Sequence, residues 1–116
     1  NEDDYTMQSL TGKKLSVVVH ETENTNEDAY AMINSLISAL GNQVEVVAVT
    51  ASSGDQFEAM SQRTQLAIPY YYSDKTLLKT MVRSNPGLVL LQDGEVINKW
   101  HYNDVPSAGE LISNLK

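Results

Sequence analysis

The sequence contains no cysteine, and this absence excludes disulfides, thiolate nucleophiles, cysteine zinc sites and iron–sulfur clusters together. It also contains no apolar run near the roughly 20 residues that a membrane-spanning helix needs. Basic residues are scarce, because 8 Lys and Arg stand against 15 Asp and Glu and leave a formal net charge of -7. Since the cations are outnumbered and form no basic run, nucleic acids and anionic membrane surfaces are not expected as partners.

The chain also lacks the features of a secretion signal, namely a basic start followed by an apolar stretch. Because it begins at Asn1, we expect it to be part of a longer protein whose anchor would lie outside these residues. A length of 116 residues and a hydrophobic fraction of 41% are typical of one globular domain. We predict a polar, partly ordered segment at residues 1–13, with a short strand at residues 5–10, and one domain at residues 14–116.

Short runs rich in valine and leucine predict four strands. The run at residues 15–20 is apolar almost throughout, which is typical of a strand buried on both faces in the middle of a sheet. Asp93 and Gly94 form a hairpin signal, because a type I′ turn needs a positive φ at both central residues. The predicted strands are residues 15–20, 44–50, 88–92 and 95–102, with a short aromatic segment at residues 66–72.

Apolar residues at helical spacing predict four helices between and after these strands. Thr25 and Asp28 form a capping-box-like pair before the first helix, and Gly41 provides its C-terminal stop. Ser73 is predicted to cap the third helix, which must end before Pro86. The residues on the inner sides of the helices are Ala29, Ile33, Leu36, Ile37 and Leu40; Phe57, Met60 and Thr64; Leu77, Leu78, Met81 and Val82; and Leu111, Ile112 and Leu115.

This order of elements predicts a three-layer α/β/α sandwich with a mixed sheet, parallel in its βαβ half and antiparallel in its C-terminal hairpin. Right-handed crossover makes the first two strands parallel neighbours. If the third strand runs antiparallel beside the first, Pro86 lies near the end of the first strand, and the last strand ends at the same edge. We predict a candidate binding edge there. Its residues are His20, Glu21, Ser84, Asn85, Pro86, Trp100 and His101.

Two resemblances sharpen this prediction. The order of strand, helix, strand, helix, short segment, helix, proline, hairpin and helix resembles the thioredoxin-like fold, in its peroxiredoxin or cytochrome-maturation variety, over residues 14–116. The run at residues 79–91, followed by Asp93-Gly94 and by Lys99-Trp100-His101-Tyr102, resembles the soluble C-terminal domain of bacterial DoxX-type membrane proteins. The second resemblance implies several membrane helices upstream. The chain would then be the soluble, membrane-associated domain of a longer bacterial protein, and the resemblance does not indicate on which side of the membrane it lies.

The thioredoxin-like resemblance also implies a cis peptide bond at Pro86. Active relatives carry a Cys-x-x-Cys or a single peroxidatic cysteine after the first long strand, at a helix N-terminus that lowers the thiol pKa. The corresponding residues 21–26 contain no thiol. The resemblance therefore implies a redox-inactive accessory or interaction domain, neither a thiol-disulfide enzyme nor a peroxidase, whose partner is another protein or its own membrane domain.

Two other functions stay open. In redox relatives the residue before the cis-proline pairs with an extended substrate, a mode of peptide recognition that needs no cysteine. Asn85 and Ser84 would form that edge here, so a peptide or small-molecule sensor at Pro86 is the alternative. An enzyme with cysteine-free chemistry is the third. Thr25 could act as an acyl-transfer nucleophile only with a neighbouring base and oxyanion donors, whereas capping the helix is the plainer role.

Three clusters allow a functional and a structural interpretation. Glu21, Glu23, Glu27 and Asp28 are interpreted as carboxylates that stabilise a helix N-terminus by about 0.3 to 1 kcal/mol each. His20 and His101 with a nearby glutamate could bind zinc, but they lack the short-range spacing of a zinc site, and no metal or cofactor is predicted. An aromatic cluster could form a ligand-binding wall, or fill a gap between a loop and an edge strand. Its members are Tyr70, Tyr71, Tyr72, Trp100 and Tyr102.

Overall fold

A computed structural model describes residues 11–115, in which a mixed five-stranded sheet has the order β3-β2-β1-β4-β5. The predicted short strand at residues 5–10 lies outside the described residues. The strands are β1 (Lys13–Val19), β2 (Glu45–Thr50), β3 (Tyr70–Tyr72), β4 (Gly87–Gln92) and β5 (Glu95–His101). The helices are α1 (Tyr30–Leu40), α2 (Gly54–Thr64), α3 (Lys75–Met81) and α4 (Ala108–Ile112), with short 3-10 helices at Glu27–Ala29 and Tyr102–Asp104.

The first strand lies at the centre of the sheet, as its apolar sequence predicts. β1 pairs in parallel with β2 and antiparallel with β4, and Leu15, Val17, Val18 and Val19 are fully buried. A strand with helices above and below it has no solvent face, so alternation of apolar and polar residues is not needed. The predicted fold class is confirmed.

Alternate residues of the central strands belong to two separate cores, because successive side chains of a strand point to opposite faces. Leu15, Val17 and Val19 lie in the larger core, which α1, α2 and α4 cover. Val18 lies in the smaller core, where Leu78 of α3 is buried. α3 is therefore the helix that covers the second face of the sheet within residues 11–115. The smaller core consists of Val18, Val49, Leu78, Val89 and Leu91.

The hairpin between β4 and β5 has the predicted turn. Asp93 has a φ of 52° and Gly94 a φ of 84°, the two positive values that a type I′ turn requires. The Asp93 backbone N–H donates to the Gly12 carbonyl at 2.9 Å, and its carboxylate accepts from the Gly12 N–H at 2.8 Å. These bonds fasten the hairpin tip to the residue that leads into β1.

Two predicted caps are wrong by one residue each. Asp74, and not Ser73, caps α3, because its carboxylate accepts from the Leu77 N–H. Asn26, and not Thr25, caps the 3-10 helix before α1, because the Asn26 side chain accepts from the Asp28 N–H. Neighbouring Ser, Thr, Asp and Asn residues all favour the cap position, so the sequence motif alone does not single out the residue that takes it.

Thr25 has a different partner, the buried hydroxyl of Tyr30, at 2.7 Å from its Oγ1. Burial raises the pKa of Tyr30 well above its ordinary value of 10, although the bond to Thr25 opposes the shift. Above pH 10 the unfolded chain therefore loses the phenolic proton that the folded chain retains. Stability should then fall with rising pH, by about 1.4 kcal/mol per pH unit from this group.

The substitution Tyr30→Phe should remove this alkaline decline. At neutral pH it should cost about 1 kcal/mol, because Thr25 loses its partner. Urea unfolding between about pH 7 and pH 11 measures both effects, with the exposed Tyr72→Phe as a matched control that should keep the wild-type slope. Equal slopes above pH 10 for wild type and Tyr30→Phe would contradict the assignment.

Candidate functional site

The ends of three strands meet at the predicted edge. Val18 of β1 is in register with Gly87 of β4, and Gly87 is in register with His101 of β5. Pro86, which precedes Gly87, therefore lies beside the end of β1, where His20 and Glu21 follow. The topology thus brings the predicted residues to one edge of the sheet, although their side chains have different surroundings.

Pro86 is buried, and the Asn85–Pro86 peptide bond is cis, which is the isomer that the resemblance implied. The chain after it passes very close to α3. A Cβ built on Gly87 would lie 2.5 Å and 2.6 Å from the two methyl carbons of Val82 and 3.0 Å from the Ser84 hydroxyl oxygen. Position 87 therefore requires glycine because of this close approach.

The loop at residues 21–26, where active relatives carry cysteine, is bonded to the residue before the proline. The Asn26 backbone N–H donates to the Asn85 carbonyl at 2.9 Å. The Asn85 side-chain amide donates in return to the Glu21 carbonyl at 2.8 Å. Both ends of the loop are thus attached to Asn85, and the Asn85 carbonyl already has a partner from the same chain.

Further contacts hold the loop from its other side. The Glu21 carboxylate accepts from the Asn24 amide at 2.8 Å and lies 3.1 Å from the Lys75 ammonium. The bond from Asn24 and the charge of Lys75 lower the pKa of Glu21 below its ordinary value. The Thr22 N–H donates to the Ser52 hydroxyl at 2.9 Å. Glu21 therefore has local structural partners on both carboxylate oxygens.

Glu27 also has a cation beside it, because its carboxylate lies 3.0 Å from the guanidinium of Arg63. This contact joins the 3-10 helix before α1 to the end of α2. It raises the pKa of Arg63 above its ordinary value, first through the hydrogen bonds that the guanidinium donates to the Glu27 carboxylate. Two residues of the acidic cluster, Glu21 and Glu27, thus each lie beside a cation, and Asp28 lies at the start of the 3-10 helix.

Two polar atoms next to the proline are buried without a hydrogen-bond partner. They are the Ser84 hydroxyl oxygen and the Asn85 side-chain oxygen. An unpaired buried polar atom is unfavourable and uncommon in a folded protein. The pair marks this edge as the place in residues 11–115 where polar groups are least satisfied.

His20 has a structural partner at the end of α3. Its side chain is buried, and its Nε2 lies 2.7 Å from the Val82 carbonyl oxygen and 3.3 Å from the Leu78 carbonyl oxygen. Since a carbonyl oxygen only accepts, Nε2 carries the proton and donates. His20 therefore binds the end of α3, where its Nε2 contacts the Val82 carbonyl and shares the Leu78 carbonyl with the Val82 N–H.

The second histidine lies elsewhere on the edge. His101 is exposed, its Nδ1 accepts from the Asn103 N–H at 3.0 Å, and its ring contacts Tyr102 with 4.2 Å between centroids. Strand β4 separates it from the end of β1. Within the described part of the chain, no three His, Asp or Glu residues form a group that could hold a metal ion.

Trp100 and the tyrosines do not form the aromatic wall that was considered. Trp100 lies on β5 and is buried in the larger core, whereas residues 70–72 form β3 at the opposite edge of the sheet. Tyr70 stacks on Phe57 with 4.5 Å between ring centroids and donates to the Glu58 carboxylate at 2.8 Å. The wall interpretation is therefore wrong, because three strands lie between the two groups.

Several residues that shape the edge were not predicted. Asn26, Ser52 and Lys75 contact it through bonds between residues that lie far apart in sequence. The Val82 side chain lies so close to Gly87 that it leaves no room for a side chain at position 87. No periodicity or motif signals such contacts, because they depend on how the loops meet after the sheet has formed.

Comparison with known proteins shows the fold class. No family model matches the chain, and a search of curated proteins found no match. Among solved structures, a thiol-disulfide oxidoreductase from Bacteroides fragilis NCTC 9343 is similar, with a TM-score of 0.70 and 14% identity over 90% of this chain and 82% of that one. A candidate thiol-disulfide oxidoreductase from Bacteroides vulgatus has a TM-score of 0.66 and 18% identity, over 94% and 78%.

A third solved structure, tryparedoxin II from C. fasciculata, has a TM-score of 0.55 and 18% identity, over 88% of this chain and 75% of its own. At these identities the likeness shows the fold alone. The chain has the thioredoxin-like fold and contains no cysteine. It therefore has no thiol with which to attack a disulfide or a peroxide.

Proposed function

We propose that this chain is a redox-inactive, thioredoxin-like accessory or interaction domain, carried by a membrane protein of the DoxX type. The resemblance of residues 79–102 to such domains supports the membrane attachment. Within residues 11–115, no helix has the length and apolar character to cross a membrane, so the spanning segments would belong to another part of the protein. The partner would be that membrane part or a protein bound to it.

The observation that carries the non-redox role is the attachment of the loop at residues 21–26 to Asn85. In the redox relatives this edge serves thiol chemistry. Here the Asn26 N–H bonds the Asn85 carbonyl, and the Asn85 amide bonds the Glu21 carbonyl. The loop thus acts as part of the scaffold, because its polar groups stabilise the fold.

Activity assays test the non-redox role. In the presence of dithiothreitol, insulin should be reduced no faster with the purified chain than with dithiothreitol alone. Hydrogen peroxide should be consumed no faster with the chain than in buffer. A cysteine-containing thioredoxin, assayed beside it, controls for the sensitivity of both assays. A rate above buffer that persists after repeated purification would overturn the proposal.

The coding sequence around this chain tests the membrane attachment. Several apolar segments of roughly 20 residues each, encoded in the same open reading frame, are the expected result. Fractionation of cells that produce the full chain should then recover it with membranes, and detergent should release it. A full chain with a secretion signal and no further apolar segment would contradict the attachment.

A peptide or small-molecule sensor at Pro86 is a second candidate, supported by the unpaired Ser84 and Asn85 oxygens. Because both atoms are buried, a ligand that pairs with them would have to displace the residues that cover them. A thermal-shift screen with peptides and metabolites tests it, because a ligand at 100 times its Kd stabilises the fold by about 2.7 kcal/mol. A shift that Ser84→Ala abolishes supports this candidate, and no shift counts against it.

A further inference from the structure

The charges of the chain are distributed unevenly over the two faces of its sheet. Between Lys14 and Arg63 the sequence contains no Lys or Arg, and this stretch includes α1 and most of α2, which cover the larger core. Three cations follow at intervals of four residues. Lys75 and Lys79 lie in α3, and Arg83 lies two residues after its end.

Lys99 of β5 joins this set from another part of the chain. It is in register with Val89, and residues in register on adjacent strands point to the same face. Val89 lies in the smaller core, under α3. Lys99 is therefore directed to the side of the sheet that α3 covers. Lys13 lies two residues before Leu15 and shares its face, so it is directed to the side of the larger core.

Three cations on the α3 side form no ion pair with any described residue, although acidic residues lie nearby. Lys79, Arg83 and Lys99 are exposed and have no such partner. Glu21 pairs with Lys75, and Asp74 caps the start of α3. The acidic residues of the helical segments lie mostly on the opposite side, in and before α1, α2 and α4. They include Glu27, Asp28, Asp55, Glu58 and Glu110.

Exposed apolar side chains accompany these cations. Leu77 lies on α3 and is exposed, so its predicted place on the inner side of that helix is wrong. Tyr71 is in register with the buried Val49, and Val96 with the buried Leu91. Each of the three is between 40% and 43% exposed. The three cations without an ion pair and these three apolar or aromatic residues form one surface, which we name the α3 face. Its members are Tyr71, Leu77, Lys79, Arg83, Val96 and Lys99.

We propose that the α3 face docks on an anionic lipid surface, so that the domain lies against the membrane that carries it. The inference rests on the proposed membrane attachment and adds the partner of this domain. The cations would contact lipid phosphates, Leu77 and Val96 would reach the headgroup boundary, and the tyrosine ring suits an interface with one apolar and one wet end.

The net charge of -7 does not prevent this contact. The molecule measures 23 Å along its shortest principal axis, and charges more than about 8 to 10 Å apart are largely screened at physiological salt. A lipid surface therefore experiences mainly the nearer face. The sequence predicts no anionic membrane partner, because its cations form no basic run along the chain. In the fold, however, α3 and β5 direct their cations to the same side of the sheet.

The spread of these residues favours a lipid surface over an acidic protein segment. The three unpaired cations come from the middle of α3, from the chain after it and from an edge strand. Tyr71 lies at the other edge, β3. Such a broad array suits lipid headgroups, which are mobile and densely anionic, whereas an acidic peptide would need the cations along one groove or edge.

Vesicle binding of the isolated chain tests the proposal. We expect it to co-sediment with vesicles of equal parts phosphatidylglycerol and phosphatidylcholine at about 100 mM salt, where charges on the far side of the molecule are largely screened, and not with phosphatidylcholine alone. Each cation at such a surface contributes about a fivefold change in the partition coefficient, and screening weakens it. Raising the salt to about 500 mM should therefore reduce binding about fivefold or more.

Charge reversals distinguish this face from the rest of the surface. Arg83→Glu and Lys79→Glu should each lower the partition coefficient about tenfold or more. Lys13→Glu changes the net charge by the same amount on the opposite side and should change it less than about twofold. All three positions are exposed, and unchanged circular dichroism spectra and melting temperatures would exclude misfolding.

Two results would overturn the proposal. One is binding to anionic vesicles that does not exceed binding to phosphatidylcholine at about 100 mM salt, or that Lys13→Glu lowers as much as Arg83→Glu. The other is binding to poly-glutamate that the α3-face variants abolish while vesicle binding stays the same, which would assign the face to an acidic protein segment. Because the isolated chain is used, these results are independent of whether the coding sequence contains membrane helices.

Discussion

The substitution Gly87→Ala should lower the free energy of unfolding by about 3 kcal/mol. The added methyl group would lie 2.5 Å and 2.6 Å from the Val82 methyl carbons and 3.0 Å from the Ser84 hydroxyl oxygen. Relief requires movement of Val82, which ends α3, or of the chain beside Pro86. Either movement disturbs the contact between α3 and the start of β4, so the cost should appear in chemical unfolding.

Gly109→Ala is the matched control, because a Cβ there meets no atom within 4 Å. Gly109 lies inside α4, where alanine is favoured over glycine by roughly 0.5 to 1 kcal/mol, so this variant should be as stable as the wild type or more so. If Gly87→Ala unfolded at the wild-type urea concentration with an unchanged m-value, the close approach at Pro86 would be contradicted.

The substitution His20→Ala should cost about 2 to 4 kcal/mol of stability. It removes a buried ring and leaves the Val82 carbonyl without the Nε2 donor, whereas the Leu78 carbonyl keeps its bond from the Val82 N–H. A cavity and an unpaired polar group are both unfavourable. Amide hydrogen exchange should show the largest loss of protection in α3. The effect follows from the structural role of His20, with no ligand involved.

His101→Ala is the control for this prediction. Its ring is exposed and contacts Tyr102 and the Asn103 N–H, so its loss should change stability by less than about 0.5 kcal/mol. If the two variants were equally stable, or if added zinc stabilised the wild type and neither variant, the structural assignment of His20 would be wrong.

The fold follows from local features of the sequence. The consecutive valines of β1 indicate a central strand, and Asp93-Gly94 specifies the turn that pairs β4 with β5. The right-handed crossover then fixes β2 beside β1. These three features predict the order of the central strands, β2-β1-β4-β5. That order also places Pro86 near the end of β1.

The details of the candidate site depend on contacts that only the folded chain contains. Asn26 and Asn85 lie 59 positions apart, and the pairing of β1 with β4 brings them within hydrogen-bond distance. His20 looked like a site residue because of its type and position, but the end of α3 supplies its partners. Trp100 was predicted to belong to the binding edge, yet alternation along β5 directs its side chain into the larger core.

The comparison with oxidoreductases is informative because the fold is similar where the chemistry differs. The structural relatives are named for thiol-disulfide chemistry, whereas this chain has no cysteine. Three of the six residues at 21–26 bond to distant parts of the chain: Glu21 to Asn85 and Lys75, Thr22 to Ser52, and Asn26 to Asn85. The loop is thus part of the framework that supports the edge.

Amide hydrogen exchange at Asn26 is the most direct test of that account. Its N–H donates to the Asn85 carbonyl, so it should exchange about 100-fold or more slowly than the intrinsic rate for its sequence. The Glu23 N–H, for which no bond within residues 11–115 exists, serves as the control and should exchange near its intrinsic rate. Unprotected exchange at Asn26 would contradict the account, because the loop would then be open and the Asn85 carbonyl free to receive a substrate.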